Sequence, residues 1–354
     1  MAQRWKQRPP NSNWGDFGPD DQRGRMNWVT REKVLQGVAE VKEGRTFVLS
    51  LPLDYPGGNA LNPRRNPPRL AATQRAGKQN FCFALAEETP LLTDVVCDDQ
   101  VLLTLQYSTQ WDSFAHIGSK FDADGDGTPE IVFYNGYRGG EDIRPAAAQR
   151  AAVPADAGTQ DWSLYEGTRA EALGIQILAE HGAQGRGEMV DLHAHFGRKR
   201  HAVGYDELMS VMEADKVAVE KGDMVCFYTG FADVILELRK NPDPKLLHNT
   251  CTGLDGRDDK LLKWVSDCGC AALIADNYAV EIIPASPFKP MPHALMPLHE
   301  HCIFKNGIHL GEIWYLTELA NWLREHRRSR FLLTAPPLRL PGAVGSPATP
   351  VATV

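Results

Sequence analysis

Gln106-Tyr-Ser-Thr-Gln-Trp-Asp-Ser-Phe-Ala-His116 sets a carboxylate, Asp112, four residues ahead of an imidazole, His116. The apolar run Val101–Leu105 in front of it reads as a strand, so the pair stands at a strand mouth. Carboxylate and imidazole at that spacing can converge on one metal ion or share a proton relay. The spacing alone equally fits an idle surface loop, so the rest of the chain has to decide.

Further strands read at Thr46–Leu51, Glu130–Tyr134, Gly187–Leu192, Asp223–Thr229, Ala271–Ile274 and Arg330–Thr334. Helices are expected from the N-cap Thr30 through Glu43, with Val34, Leu35, Val38 and Val41 on one face, and over Asp206–Lys221 and Asp259–Asp267. Another is expected over Glu312–Arg327, with Ile313, Leu316, Leu319, Ala320 and Leu323 inward. Strands thus alternate irregularly with few long helices, no repeat has a fixed period, and no composition break marks a linker. The pattern predicts one α/β domain with a mixed sheet. Residues 52–68 form a long polar loop, and substrate specificity is assigned to loops 52–80 and 136–180.

The 354 residues are 43% apolar and 23% charged, as in a globular protein. A net charge of −7 and the lack of a basic run exclude a nucleic-acid partner, and no apolar stretch predicts a membrane span. The N-terminus has no secretory-type apolar core, and seven scattered cysteines suit reduced thiols, which together predict a cytoplasmic protein. Cys268-Gly-Cys270 lacks a second ligand pair and reads as structural. Asp122-Ala-Asp-Gly-Asp-Gly127 imitates a calcium loop but has Phe133 where the bidentate Glu belongs, so a tight turn is expected. Gly136-Tyr-Arg-Gly-Gly140 lacks a strand–helix setting, so no nucleotide is implied.

The Gln106–His116 stretch resembles the signature His-x-Gly-Thr-His-x-Asp-x-Pro-x-His of the cyclase-type metal-dependent hydrolases, which include kynurenine formamidases and isatin hydrolases. Thr109, Asp112 and His116 match it, whereas Gln106 and Gln110 stand where the family has two metal-binding histidines. The likeness extends to Trp14-Gly-Asp-Phe-Gly-Pro-Asp-Asp21, Arg186–Asp191, Gly222–Gly230, Ala275–Glu281, Leu298–Glu312 and Pro337–Pro347. It implies a swivelling β/β/α fold. Residues 1–30 would be an irregular arm packed on a domain of residues 31–336, and residues 337–354 would return toward the active site, ordered to about Pro350.

The same resemblance implies a hydrolase that opens a small cyclic or acyl amide, imide or lactone, in homodimers or homotetramers. Asp112, His116 and Glu312 would be catalytic. Those three, with His299 or His301, would hold a divalent ion, manganese or zinc, and the two glutamines tilt the choice toward harder ions because an amide oxygen is a weak neutral ligand. Gln106, Gln110, Trp111, Ser113 and Arg339 would contact the substrate. His193 and His195, read at strand spacing, are an alternative imidazole pair with structural or substrate-contacting roles favoured. Two readings of other classes stay open: a catalytically silent small-molecule binder, and a metal-independent lyase or isomerase.

Overall fold

A computed structural model describes residues 3–145 and 167–354, so the part of the 136–180 loop spanning 146–166 lies outside the described residues. Its centre is a nine-stranded mixed sheet. In chain order the strands are β1 (Thr46–Val48), β2 (Gln110–Asp112), β3 (Gln184–Asp191), β4 (Met224–Tyr228), β5 (Ala272–Ala275), β6 (His309–Glu312), β7 (Arg330–Thr334), β8 (Gly345–Pro347) and β9 (Val351–Thr353). Their spatial order is β1-β9-β7-β3-β4-β5-β6-β2-β8. Strands β3 to β6 run parallel, and every other pairing is antiparallel.

The parallel centre explains its own sequence. Met224–Tyr228 and Ala272–Ala275 are buried at every position, as a strand covered on both faces must be. Val225, Phe227, Leu273, Ala275 and Leu310 enter one core, while Met224, Cys226, Ala272, Ile274 and Trp111 enter the other. The main helices flanking the sheet are α1 (Arg31–Ala39), α2 (Tyr205–Asp215), α3 (Asp259–Asp267) and α4 (Thr317–His326). The result is the single mixed α/β domain with few long helices that the sequence predicts.

Three elements depart from the sequence reading. The expected strand Val101–Leu105 is instead Asp99–Leu102, exposed throughout and paired with Arg69–Ala72 in an arm outside the main sheet. Asp112 therefore stands on a strand of its own. Glu312 does not open a helix: it ends β6, and α4 starts only at Thr317. Pairing of Leu310–Glu312 with β2 holds the backbone extended, and Ile313 leaves it at φ +55°. The inward side was read correctly, since Leu316, Leu319, Ala320 and Leu323 are buried.

Helix α1 also turns a different face inward and stops at Ala39 rather than Glu43. Its buried positions are Lys33 and Gly37, whereas Leu35 and Val38 are 56% and 48% exposed. A Cβ on Gly37 would lie 2.8 Å from the Gly185 carbonyl oxygen, so the helix lies on β3 at backbone distance. Lys33 beside it reaches the buried Asp223 with its Nζ at 3.0 Å.

Both termini are built in. Trp14 is buried, packs edge-on against Trp5 and Phe304, and donates its Nε1–H to the Phe304 carbonyl at 2.8 Å. The C-terminal segment returns twice to the sheet, as β8 beside β2 and as β9 between β1 and β7, so regular structure runs past Pro350 to Thr353. Trp14→Ala should lower the unfolding free energy by about 3–5 kcal/mol, as for other buried aromatics, while Leu35→Ala should change it by less than about 0.5 kcal/mol. Urea denaturation followed by circular dichroism checks both, and equal effects would contradict the packing described.

Candidate active site

Strand alternation sorts the central stretch into two faces. Gln110 and Asp112 point one way and Trp111 the other. Across the ladder Asp112 stands opposite Leu310, and Gln110 opposite Glu312, so both acids and the glutamine share one face near the end of β6. Thr109 fixes the entry by accepting the Leu51 amide at 2.9 Å. On the other side of Asp112 lies Gly345, where a Cβ would meet the Gln106 amide nitrogen at 2.5 Å. The Gln106 side chain therefore lies over Gly345 and would have to shift to admit a larger residue there.

His299 comes from the helical turn Pro297–His299, which widens into a π-helical turn over Glu300–Lys305 before β6. Its Nε2 lies 3.0 Å from Glu312 Oε1, and its Nδ1 lies 2.8 Å from Glu281 Oε1. Glu281 also accepts the amides of Leu298 and His299 at 3.1 and 3.0 Å, so it fixes both the turn and the ring. The Gln110 amide nitrogen donates to Asp112 Oδ1 at 3.3 Å and to Glu312 Oε2 at 3.2 Å. His116 stands at the mouth, its side chain 20% exposed and its Nε2 3.8 Å from Asp112 Oδ2. Arg65 places Nη1 4.0 Å from Glu312 Oε2 and donates to the Gln106 carbonyl at 2.8 Å.

Burial dominates the electrostatics. It pushes the Asp112 carboxyl above its ordinary pKa, although the nearby His116 pulls against it. Burial, the largest single influence, would do the same to Glu312, but the bond from His299 together with the charges of His299, Arg65 and His116 holds that carboxyl low. Burial alone would lower His299, yet its bonds to Glu281 and Glu312 raise it to about 10. Behind the site His309 is pushed down to about 4 by burial, and its Nδ1–H donates to the Asp112 carbonyl at 2.9 Å.

Asp112, His299 and Glu312 offer ligand atoms within 4.8 Å of one another. Among the described residues, two buried oxygens of the site, Asp112 Oδ2 and Gln110 Oε1, have no hydrogen-bond partner. Two carboxylates and one imidazole, with an amide oxygen beside them, fit a divalent cation harder than a thiolate or all-imidazole site selects. A second acidic group, Asp122, Asp124 and Glu130, is committed otherwise. Asp122 accepts the amides of Gly125, Asp126 and Gly127, which makes the expected turn, and Glu130 is paired with Arg138.

The other residues singled out from the sequence lie elsewhere. His301 is two positions beyond His299, roughly 200° around the helix, and cannot share its target. Its Nε2 meets Ser266 Oγ at 2.8 Å, and burial pushes it down to about 4. Trp111 packs in the opposite core against Trp314 and donates to the Ala335 carbonyl at 2.7 Å. The Ser113 hydroxyl is spent on the Val344 carbonyl at 2.9 Å. Arg339 is exposed and bonds Glu180 at 2.9 Å. His193 and His195 belong to a short helix, Leu192–Phe196, not a strand, and His195 bonds Asp215 at 3.0 Å.

The sequence reading passed over Glu281 and Arg65. Glu281 closes the Ala275–Glu281 segment quoted above, so its position was signalled while its role was not. Arg65 had no signal beyond lying in the 52–68 loop.

The raised His299 value carries a stability consequence. A histidine held above its ordinary 6.5 contributes stability that is fully present below that value and is lost as pH rises through its folded value near 10. In chelator-treated protein the His299 ring should therefore titrate in the alkaline range by NMR, and Glu281→Gln should bring it down. Urea midpoints should fall between pH 7 and 10 more steeply in the wild type than in Glu281→Gln. A wild-type ring titrating near 6.5 would remove the basis for this.

A solved structure described as a novel cyclase is 28% identical, covers 98% of this chain and 100% of its own, and superposes with a TM-score of 0.70. Isatin hydrolase A from Ralstonia solanacearum (13% identity, 91% of this chain, 97% of its own, TM-score 0.52) and from Labrenzia aggregata (12%, 91%, 97%, 0.51) share the fold. No curated protein matches. The putative cyclase family model matches residues 48–282, about two thirds of the sequence and including β2, Asp112, His116 and Glu281. The chain belongs to the putative cyclase family.

Proposed function

We propose that this protein is a hydrolase that opens a small cyclic or acyl amide, imide or lactone with activated water. The observation that carries the reading is the meeting of Asp112, His299 and Glu312 in one buried cluster, with His116 at its mouth. Family membership and the likeness to isatin hydrolases support it.

Asp112, His299 and Glu312 would hold the divalent ion, and Gln110, whose amide nitrogen and oxygen exchange places by a half-turn, offers a fourth donor. When bound, such an ion polarises a carbonyl and lowers the pKa of water toward neutrality. The side chains do the rest. His116, partly exposed and beside Asp112, takes the proton of the attacking water and returns it to the leaving nitrogen or oxygen. Hydroxide adds to the acyl carbon, the C–N or C–O bond breaks, and the products are a carboxylate and an amine or alcohol. Glu281 keeps the His299 ring oriented, as carboxylates behind metal-binding histidines do. Arg65 places positive charge where the carbonyl oxygen becomes negative.

The glutamine at position 110 favours manganese over zinc, because an amide oxygen suits a harder ion. One observation favours a metal-independent lyase or isomerase instead. The Gln110 nitrogen bonds Asp112 and Glu312, and His299 bridges Glu312 and Glu281, so side-chain donors link all three carboxylates. Full activity in strong chelator would select that second reading.

Asp112→Asn should lower hydrolysis of the best substrate in a lactone and imide panel by roughly 10²–10⁴-fold, the worth of the acid–base step at His116, beside which Asp112 stands. Undiminished turnover would refute the role given to Asp112. Gln110→His should raise zinc affinity by on the order of 10–100-fold, the scale on which ligand surroundings tune a metal site, as measured by competition with a chromophoric chelator. Unchanged zinc affinity would place the ion away from Gln110.

A further inference from the structure

The loop that delivers Arg65 to the site also builds its approach. Leu61 and Asn62 are buried, and Asn62 donates its amide to the Tyr278 hydroxyl at 3.0 Å. Leu61, Asn62 and Tyr278 line two adjoining hollows. The inner one contains Arg65, 4.0 Å from Glu312, and the outer one is edged by Arg64, Arg200 and His248. The outer hollow, with Arg64 and Arg200 on its rim, thus adjoins the one that holds Arg65.

Those two arginines differ from their neighbours. Arg198, two residues before Arg200, makes a bidentate pair with Glu237 at 2.7 Å for both bonds, and Arg186 is tied to Asp223 at 2.9 and 3.0 Å. Among the described residues neither Arg64 nor Arg200 has a carboxylate partner, and Arg200 reaches only the Ile283 carbonyl, at 3.3 Å. Two exposed, unpaired guanidiniums thus face one hollow in a chain of net charge −7. Their field reaches the floor, where burial raises the Tyr278 phenol while Arg65 and then Arg64 pull it down. Like charges on one rim repel, and a planar anion between them removes the repulsion while filling both donor forks.

We infer that Arg64 and Arg200 form an anion-recognition vestibule, and that the substrate carries a carboxylate-like group in addition to the acyl bond that is cleaved. The assignment of that anion to a substrate rests on the hydrolase reading above, whereas its binding does not. Arg64 and Arg200 are specificity-determining residues that hold the charged arm of the substrate.

Titration calorimetry of chelator-treated protein with benzoate, and with benzamide as its neutral isostere, tests this. Benzoate should bind more tightly than benzamide, and Arg64→Gln and Arg200→Gln should each weaken benzoate by about tenfold, the worth of one charge-assisted hydrogen bond, without affecting benzamide. Arg339→Gln, at an exposed residue paired with Glu180 and outside both hollows, should leave benzoate binding unchanged. Equal binding of the two probes, or full benzoate affinity in both arginine variants, overturns the vestibule. If that happens while hydrolysis still depends on Asp112, only the vestibule falls. Selective benzoate binding in a protein that hydrolyses nothing on the panel leaves the vestibule standing and removes the hydrolase.

Discussion

Three carboxylates gathered around one imidazole in a region closed to water set the terms for the rest of this structure. Asp112, Glu281 and Glu312 are each no more than 2% exposed, and His299 lies against two of them. Two unit charges of like sign about 4 Å apart repel by roughly 4 kcal/mol at the effective dielectric of a protein. An uncompensated cluster would therefore unfold, protonate or capture a cation. The cluster meets the problem with donors: His299 bridges Glu281 and Glu312, Gln110 bridges Asp112 and Glu312, and Arg65 adds its charge from the side. Burial raises the Asp112 pKa, and its Oδ2 has no hydrogen-bond partner among the described residues, which leaves that oxygen open to an incoming group.

Such a cluster needs a stiff support, and the sheet supplies it. Strands β2 and β6 carry Gln110, Asp112 and Glu312 on residues whose backbones are locked in antiparallel register between β5 and β8. The buried Asp276, raised to about 7 by burial, accepts the Thr229 amide and hydroxyl and the Gly230 amide, and so ties the end of β4 to the end of β5. Precision comes from strands, whereas the residues at the approach (Arg64, Arg65, His248) come from loops. In this division the cluster is held rigid while the loops can vary the substrate.

The same division explains what was legible in the sequence. The apolar runs of β4 and β5 and the helix at Asp259–Asp267 followed from local pattern, because burial on two faces or on one stripe leaves a local record. Asp112 was legible through its spacing to His116 and through the family likeness. Glu312 was found as a residue but assigned to a helix, because the periodicity of α4 runs on smoothly through Ile313 and Leu316 and hides the strand end. His299 and His301 could not be told apart, since only the course of the π-widened turn decides which imidazole meets Glu312. Glu281 and Arg65 act through contacts with residues far away in sequence, and nothing local records that. Helix α1 misled for another reason: its backbone approaches β3 so closely that only Gly37 fits, which leaves its larger apolar residues outside.

The exchange of histidine for glutamine at position 110 then has a physical consequence beyond ligand softness. An imidazole directed at two carboxylates presents one nitrogen with at most one hydrogen, and it changes from acceptor to donor by taking up a proton or by shifting to its other tautomer. An amide nitrogen brings two hydrogens, one for each carboxylate. A glutamine amide makes the same change by turning over, with no proton exchanged. With its nitrogen inward, Gln110 satisfies Asp112 and Glu312 in the absence of a cation; with its oxygen inward it becomes a neutral donor to one. The ion-free cluster is thereby stabilised relative to one bearing a neutral histidine, and ion affinity, which is the difference between the two states, falls. The protonated His299 acts in the same direction, because an incoming ion must displace its proton from Glu312. For any ion held by this cluster, these two side chains together would make the affinity weak and pH-dependent, before any substrate is considered.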